Sequence, residues 1–282
     1  MRRIIPTLVI QGGAGGLIKD KRRRLKIRKK MAGILDRGYK KLLSANAIAA
    51  VTWVTRLLEN DPEFNAGRGA MLQADGKARL SAAVMDGARS RFAGVINIEG
   101  IRNPVLVARS LLEESSRILA GPEARRWAVD AGFETGATRT ARSIRLWEKK
   151  SSAGSDTVGA VALDAFGQLA SATSTGGRGY ECPGRVSDSP MPAATYATDY
   201  CAISATGHGE EIIEAALAVR IAQRAADMNS LKQAFRKTFS EVSARKGYMG
   251  AIGLNRLGHV VIQTTTPSLL YGWQQGKFRK LF

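Results

Sequence analysis

The sequence contains few of the residues on which common catalytic and structural sites depend. It has two histidines, His208 and His259, in 282 residues. Neither stands in the chain order of a known Ser/Cys–His–Asp triad. Its two cysteines, Cys182 and Cys201, are too few for a disulfide framework, so a reducing compartment, the cytoplasm, is expected. A catalytic site in this chain must therefore use other side chains.

Long apolar runs are also missing from the sequence. No stretch approaches the length of a transmembrane helix, so no membrane partner is expected. The chain begins with charged and then apolar residues, but Pro6 interrupts residues 4–10, and this run is too short for a signal peptide. We therefore predict that residues 4–10 form a buried first strand.

Acidic residues are scarce relative to basic ones. The chain has 43 Lys and Arg against 24 Asp and Glu, which gives a net charge of +19. Such a charge attracts nucleic acid non-specifically, and this is the only nucleic-acid binding expected. The densest run, residues 19–30, carries no aromatic interleaving and no RNP-like motif. Leu25, Met31, Ile34 and Leu35 have helical spacing, so the run is better interpreted as the solvated face of a helix.

The sequence does contain a threonine at the start of a predicted buried strand. Thr157 follows Asp156 and precedes the apolar run 158–163. A threonine hydroxyl is a poor nucleophile unless a base removes its proton. Cleavage of the Asp156–Thr157 bond would leave Thr157 with a free α-amino group, whose ordinary pKa of about 7.7–8.0 suits a general base. Alone, Thr157 is better interpreted as an ordinary β-branched strand residue.

Four motifs add context to Thr157. They lie at residues 156–164, 173–177, 183–190 and 206–210. In this order and spacing the chain resembles the plant-type asparaginase / isoaspartyl peptidase family of N-terminal-nucleophile hydrolases. The resemblance extends over nearly the whole chain, from the glycine-rich residues 11–16 to residues 265–267. It departs from the family at Gln11, where a histidine is usual.

The resemblance implies a role for each matching catalytic residue. Thr157 is the expected nucleophile, and autocleavage between Asp156 and Thr157 is expected to release its amine. Thr175 is expected to orient the nucleophile. Thr206 and Gly207 are expected to donate to the oxyanion through a hydroxyl and a backbone N–H, a contact of a kind worth about 3–4 kcal/mol of barrier. Asn65 is expected to support the nucleophile, and its alternative interpretation is a turn residue.

The substrate-binding residues come from the same motifs. Arg185 and Asp188 have the chemistry to bind an amino acid, because Arg clamps a carboxylate and Asp accepts from an ammonium group. Their alternative interpretation is a surface ion pair worth at most about 1 kcal/mol. Gly207 and Gly209 are expected to approach the substrate closely, and His208 between them has no expected catalytic role.

The resemblance also implies a structural sodium ion and no organic cofactor. In the family, backbone carbonyls around an Asn-Ala-Gly loop hold this ion. The matching positions are Leu58, Glu59, Asp61, Phe64, Ala66 and Arg68. Main-chain ligation leaves no side-chain pattern, so this metal site rests on the resemblance.

The hydrophobic pattern predicts a layered α+β fold. Predicted helices cover about 21–43, 45–59, 105–119, 124–131, 210–228 and 231–246. Predicted strands cover 80–86, 92–98, 158–163, 169–174, 201–206, 251–254 and 260–264. The polar residues of about 132–156 suggest a flexible linker. The resemblance implies a four-layer αββα sandwich of the N-terminal-nucleophile hydrolase type: one domain, 1–282, that self-cleaves into 1–156 and 157–282.

The expected function is that of a self-processing threonine amidohydrolase. Its substrates would be L-asparagine and β-aspartyl (isoaspartyl) dipeptides, with release of L-aspartate, and its expected assembly is a homodimer of cleaved pairs. Asp156 favours glycosylasparaginase as the alternative, because those enzymes carry Asp before the threonine. A taspase-like protease is more distant. The competing class is an inactive homologue with a basic nucleic-acid-binding surface.

Overall fold

A computed structural model describes residues 4–150 and 157–282 of the chain. Within these ranges the chain forms helices and β-strands in mixed order. The helices are α1 (Lys21–Ser44), α2 (Ala47–Glu59), α3 (Pro104–Leu111), α4 (Gly121–Asp130), α5 (Ala141–Glu148), α6 (Gly209–Ala215), α7 (Leu217–Asp227) and α8 (Leu231–Ala244). The strands are β1 (Thr7–Gly15), β2 (Leu80–Asp86), β3 (Arg91–Ile98), β4 (Ile118–Ala120), β5 (Val158–Leu163), β6 (Leu169–Thr175), β7 (Thr195–Ala197), β8 (Cys201–Gly207), β9 (Met249–Asn255), β10 (Val260–Thr264), β11 (Ser268–Gln275) and β12 (Phe278–Leu281).

The strands form two sheets. The larger has the order β12-β11-β1-β5-β6-β2-β3-β4, and the smaller has the order β10-β9-β8-β7. All neighbouring strands are antiparallel except β3 and β4, which are parallel. The strand that follows Thr157, β5, lies in the interior of the larger sheet, between β1 and β6.

Strand periodicity distributes the apolar side chains between two faces of each sheet. Val158, Ala160 and Ala162 of β5 join a cluster with α1, α2 and α3, whereas Val161 and Leu163 join residues of β8 and β9. This alternation follows from the two-residue repeat of a strand. A third cluster joins α7 and α8 to β8 and β9. Odd-numbered residues of β5 therefore face the smaller sheet.

Helix α1 confirms most of the apolar stripe predicted for the basic run. Asp20 caps the helix by accepting from the backbone N–H groups of Arg22 and Arg23. Met31, Ile34 and Leu35 are buried as predicted. Leu25 was wrongly assigned to this stripe, because its side chain is 53% exposed and Ile27 is buried in its place. None of the described helices is long and apolar enough to cross a membrane.

Three of the predicted elements have different bounds in the structure. The first strand begins at Thr7 and continues through the glycines to Gly15, with a register shift between Gln11 and Ala14. The helix predicted at 105–119 ends at Leu111, and residues 118–120 pair with β3 instead. The helix predicted at 210–228 is two helices, because Ala216 adopts a left-handed conformation with φ of 45°.

The segment predicted as an irregular linker, 132–156, contains the regular helix α5. Thr140 and Ser143 form a reciprocal capping box at its start, which satisfies two N–H groups there. The Trp147 side chain donates to the Ala74 carbonyl at 3.2 Å and attaches the helix to the preceding chain. Residues 151–156, which include Asp156 and the predicted cleavage bond, lie outside the described residues.

Candidate active site

The predicted nucleophile, Thr157, lies where β5 starts, beside the end of the neighbouring strand β6. Thr157 immediately precedes β5, and its side chain is buried, with 4% exposure. Strand β5 pairs with β6 so that Val158 is opposite Ser174, and one further step along this antiparallel register brings Thr157 beside Thr175. Side chains alternate between the two faces of a strand, and both threonines are on the face towards the smaller sheet.

One small cavity brings together most of the residues that were predicted to be catalytic or to bind substrate. Six of these seven residues line it, and they come from all four motifs. Ser187, Gly177 and Arg178 complete the lining. The six are Thr157, Thr175, Arg185, Asp188, Gly207 and Gly209.

The Thr175 end of the cavity is supported by Asn65. Thr175 Oγ1 accepts from the Gly177 N–H at 3.2 Å, and Asn65 Nδ2 donates to the Gly177 carbonyl. The Asn65 carbonyl accepts from the Gly176 N–H at 2.9 Å, and its Oδ1 accepts from the Met71 N–H at 3.0 Å. Asn65 is fully buried and thus fixes the turn that follows Thr175.

Strand β8 of the smaller sheet supplies the opposite wall. Gly207 has a φ of +146°, and an added Cβ would lie 2.5 Å from Met249 Cα, so only glycine fits there. Thr206 does not line the cavity. Its Oγ1 accepts from the Ala14 N–H at 3.3 Å, which ties β8 to the glycine-rich end of β1.

Arg185 is held by an acid to which the sequence interpretation gave no role. Its Nε and Nη2 donate to the two carboxylate oxygens of Glu210 at 2.7 and 3.0 Å. Burial disfavours the charged form of Arg185 and lowers its pKa. The hydrogen bonds and negative charge of Glu210 have the larger combined effect, so the Arg185 pKa is raised. Hydrogen bonds from Arg185 lower the Glu210 pKa to about 2. The signal for Glu210 was its place in the motif 206–210.

Asp188 is the most unusual ionisable group in the cavity. It is 2% exposed, and burial raises its pKa to about 7 although the nearby Arg185 charge opposes this shift. Its Oδ2 has no hydrogen-bond partner among the described residues, and the same holds for the neighbouring Ser187 Oγ and Ser189 Oγ. Because buried polar atoms are normally paired, the two of these atoms whose residues line the cavity, Asp188 Oδ2 and Ser187 Oγ, mark a place for a ligand's donors.

Gly209 lets the side chains of Arg185 and Asp188, which were predicted to bind substrate, approach the backbone. An added Cβ at Gly209 would lie 2.8 Å from Arg185 Nη2 and 2.9 Å from Asp188 Oδ1. Glycine thus brings the N-terminus of α6 against both side chains.

A second buried carboxyl, Glu59, lies behind the nucleophile. Its Oε1 accepts from Ser174 Oγ at 2.7 Å and from the Val105 N–H at 3.0 Å, and its Oε2 accepts from Asn103 Nδ2 at 3.1 Å. Burial raises the Glu59 pKa to about 7. The sequence interpretation named only its backbone carbonyl and missed this side chain, since its partner Ser174 is 115 positions away.

The last two residues of α2 and the loop after it carry the backbone carbonyls named for a metal ion. Two glycines permit their close approach: a Cβ on Gly67 would lie 2.6 Å from the Glu59 carbonyl oxygen, and one on Gly69 would collide with that of Phe64. Among the described residues, no group of three or more His, Cys, Asp or Glu could hold a metal ion. Main-chain carbonyl oxygen is a ligand type that hard cations accept.

Gln11 and the two histidines lie outside the cavity lining. Gln11 is fully buried opposite Gly159 of β5, and its Oε1 accepts from the Gly13 N–H at 2.8 Å. His208 Nδ1 lies 3.0 Å from Glu211 Oε1, and His259 Nδ1 lies 3.5 Å from Asn255 Nδ2. The arrangement thus suits chemistry with a base other than histidine.

Comparison with known proteins agrees with this geometry. A family model described as asparaginase matches residues 4–280. The chain is 37% identical to an isoaspartyl peptidase/L-asparaginase of Nostoc sp., over 98% of this chain and 93% of that protein. It is 39% identical to one from Synechocystis sp. (96% and 88% covered) and 34% identical to an isoaspartyl peptidase of Escherichia coli (94% and 92% covered). The chain therefore belongs to the plant-type asparaginase / isoaspartyl peptidase family.

Proposed function

We propose that this protein is a self-processing threonine hydrolase that cleaves β-aspartyl dipeptides and L-asparagine and releases L-aspartate. The observation that carries this proposal is the single cavity that joins Thr157 and Thr175 to Arg185, Asp188 and Gly209. The names of the relatives in Nostoc, Synechocystis and Escherichia coli support the same activity.

The substrate would lie with its aspartyl part against Arg185 and Asp188. Arg185 would bind the α-carboxylate, and Glu210 would keep the guanidinium charged and oriented. Asp188 Oδ2, without a partner among the described residues, would accept from the α-ammonium group. The side-chain amide carbonyl would then point towards Thr157.

The chemical step would be acyl transfer to Thr157. Its Oγ attacks the amide carbon while its own α-amine takes the hydroxyl proton, and Thr175 orients the hydroxyl. The Gly207 N–H stabilises the oxyanion, together with the Thr206 hydroxyl once its O–H is directed to the site. The leaving nitrogen takes a proton and departs as ammonia or an amino acid. Water then hydrolyses the aspartyl ester and restores the Thr157 hydroxyl.

Self-cleavage would use the same groups. Thr157 Oγ attacks the carbonyl of Asp156, the peptide nitrogen becomes the Thr157 amine, and water hydrolyses the resulting ester. The products are residues 1–156 and 157–282. Asp156 lies outside the described residues, so this step is proposed from Thr157 and the sequence.

The family assignment also supports proposals about the fold, a structural metal ion, the assembly and the location of the protein. We regard residues 1–282 as one domain with a four-layer αββα sandwich, which the three apolar clusters support. A structural sodium ion would be held by backbone carbonyls of Leu58, Glu59, Asp61, Phe64, Ala66 and Arg68. There the ion would fix the loop that carries Asn65. We further propose a homodimer of cleaved pairs, and a cytoplasmic location that suits the free thiols of Cys182 and Cys201.

Glycosylasparaginase activity is the second candidate, and the observation that favours it is Asp156 before Thr157. It would need the cavity to admit a sugar on the amide nitrogen. Assays with N4-(β-N-acetylglucosaminyl)-L-asparagine, L-asparagine and a β-aspartyl dipeptide distinguish the two activities. We expect faster release of aspartate from the β-aspartyl dipeptide than from N4-(β-N-acetylglucosaminyl)-L-asparagine.

The experiment that tests the proposed function is the intact mass of purified chains after incubation. Wild type should give two fragments whose masses sum to that of the 30.3 kDa chain plus one water. Thr157→Ser keeps a hydroxyl and should still cleave, whereas Thr157→Ala should stay whole. Cleavage at the same bond in folded Thr157→Ala would show that Thr157 is not the nucleophile.

A further inference from the structure

One arginine that lines the cavity has no part in the proposed chemistry. Arg178 is exposed and shares the cavity with Thr157 and Thr175. It follows Thr175 by three residues, whereas Arg185, Asp188 and Gly209 approach one another at the other part of the lining. Arg178 therefore lines the cavity from the loop that follows β6.

The backbone of Arg178 is fixed by its neighbours. Its N–H donates to Glu181 Oε2 at 2.8 Å, and Glu181 is 5% exposed. Gly177 has a φ of +84°, and an added Cβ would collide with Glu181 Oε1. Tyr180 also has a positive φ, 52°, and its backbone N–H donates to the Leu72 carbonyl at 2.7 Å. This loop thus holds the base of the Arg178 side chain at the cavity rim.

Of the two arginines that line this cavity, Arg178 is the one whose guanidinium pairs with no carboxylate among the described residues. Arg185 is engaged by both oxygens of Glu210. Within residues 4–150 and 157–282, the Arg178 guanidinium makes neither an ion pair nor a hydrogen bond. The hydrogen bonds from Arg185 are the main cause of the low Glu210 pKa, and the positive charge of Arg178 makes a smaller contribution to it.

We propose that Arg178 is a specificity-determining residue that binds the carboxylate of the leaving amino acid. The proposal rests on the proposed function. A β-aspartyl dipeptide releases an amino acid whose α-carboxylate lies two bonds from the scissile nitrogen, whereas L-asparagine releases ammonia. A guanidinium fork matches a carboxylate in two parallel hydrogen bonds. Arg178 thus favours β-aspartyl peptides with a free C-terminal carboxylate over both L-asparagine and amidated peptides.

The test compares kcat/KM for three substrates: β-aspartyl-leucine, its C-terminal amide and L-asparagine. Wild type should prefer the free acid to its amide by about 10- to 100-fold, the range expected for a charge-assisted contact. Arg178→Met keeps the length of the side chain without its charge. It should lose most of this preference, mainly through a higher KM for the acid, and Arg178→Lys should recover part of it.

Arg24→Met is the matched control, because Arg24 is exposed on α1 and does not line the cavity. It removes the same charge and should keep the wild-type preference. Equal acid and amide rates in wild type would overturn the inference without any variant. An unchanged preference in Arg178→Met, or an equal loss in Arg24→Met, would also overturn it. A wild-type chain that neither self-cleaves nor turns over any of the three substrates would instead contradict the proposed function.

Discussion

At the residue scale, the site contains a carboxyl group that is costly to bury. Asp188 is 2% exposed, and its Oδ2 finds no donor among the described residues. Burial without full hydrogen bonding penalises the ionised form, so the Asp188 pKa rises to about 7. A substrate ammonium group would supply the missing donor. The free protein is thus less stable at this position than it could be, as is common at binding sites.

Replacing Asp188 with Asn should stabilise the intact chain at pH 8 more than at pH 4. The folded pKa is about 7, above the ordinary 3.8, so between these values the folded state binds more protons than the unfolded state. The wild-type free energy of unfolding therefore falls over this range as pH rises. Asn has no such loss, so the advantage of Asp188→Asn should grow with pH, by at most about 4 kcal/mol.

Urea unfolding measures this effect. The Asp188→Asn variant and its parent should both carry Thr157→Ala, so that neither protein self-cleaves. Asp130→Asn is the control, because Asp130 is exposed on α4. A difference between Asp188→Asn and its parent that stays constant from pH 4 to pH 8 would contradict the raised pKa. In the cleavable protein, Asp188→Asn should raise KM, since it removes the acceptor for the substrate ammonium.

At the element scale, a single side chain joins three elements behind the nucleophile. Glu59 ends α2, accepts from Ser174 of β6, and accepts from Val105 and Asn103 at the start of α3. Strand alternation explains its place: Ser174 points to the helices, while its neighbour Thr175 points to the cavity. Glu59 thus couples the position of β6 to the helix layer.

Glu59→Ala should destabilise the folded chain by about 3 kcal/mol, because it leaves buried donors without an acceptor. Glu59→Gln keeps the shape and one acceptor and also removes the cost of burying a charge, so its loss should be smaller. Guanidinium unfolding in the Thr157→Ala background measures both. Glu114→Ala, at an exposed position, is the control. A loss for Glu59→Ala no greater than that of the control would refute the coupling.

Comparison of the elements shows which local patterns were sufficient for prediction. Strands β2, β5 and β10 have the bounds predicted from their short apolar runs. Strands β4, β7, β11 and β12 were not predicted. The first two have three residues each, and β11 mixes apolar residues with serine and glutamines without a regular alternation and is stabilised by its pairing with β1. The end of a strand or helix also depends on backbone conformation, as at Ala216, and apolar spacing does not encode it.

The site could be predicted where its residues lie in contiguous motifs. Arg185, Asp188 and Gly209 come from two such motifs and line one cavity, while their roles stay predictions. Thr206 shows the limit of this approach, because its hydroxyl contacts the Ala14 backbone, 192 positions away. The role of Glu59 likewise depends on a contact distant in sequence. Such pairings are set by sheet order and register, which a single sequence does not reveal.

At the scale of the whole molecule, the charge of +19 is the feature that the proposed chemistry leaves unused. The basic run at the start of α1 is exposed, and the first turn of that helix has no acidic residue. Lys26 and Lys30 pair with Glu63 and Asp61. Because cations near a helix N-terminus oppose its dipole, this placement does not favour the helix.

The charge should produce DNA binding that depends on salt and on total charge rather than on one patch. At 0.01 M salt the Debye length is about 30 Å, so charges all over a chain of this size act on the same duplex. Two variants, each with four cations changed to glutamine, should therefore lose similar affinity at this salt. One changes Lys21, Arg22, Arg23 and Arg24 of α1; the other changes the exposed Lys232, Arg236, Lys237 and Arg245 in and after α8.

Fluorescence anisotropy with a labelled duplex at 0.01 and 0.15 M salt measures both variants. Affinity should fall steeply with salt and be the same for duplexes of unrelated sequence, because phosphate contacts release counterions without reading bases. Thr157→Ala should bind DNA as wild type does, since binding would not involve the cavity. A loss confined to the α1 variant would instead identify the basic run as a dedicated nucleic-acid surface, and the charge would then have a function separate from hydrolysis.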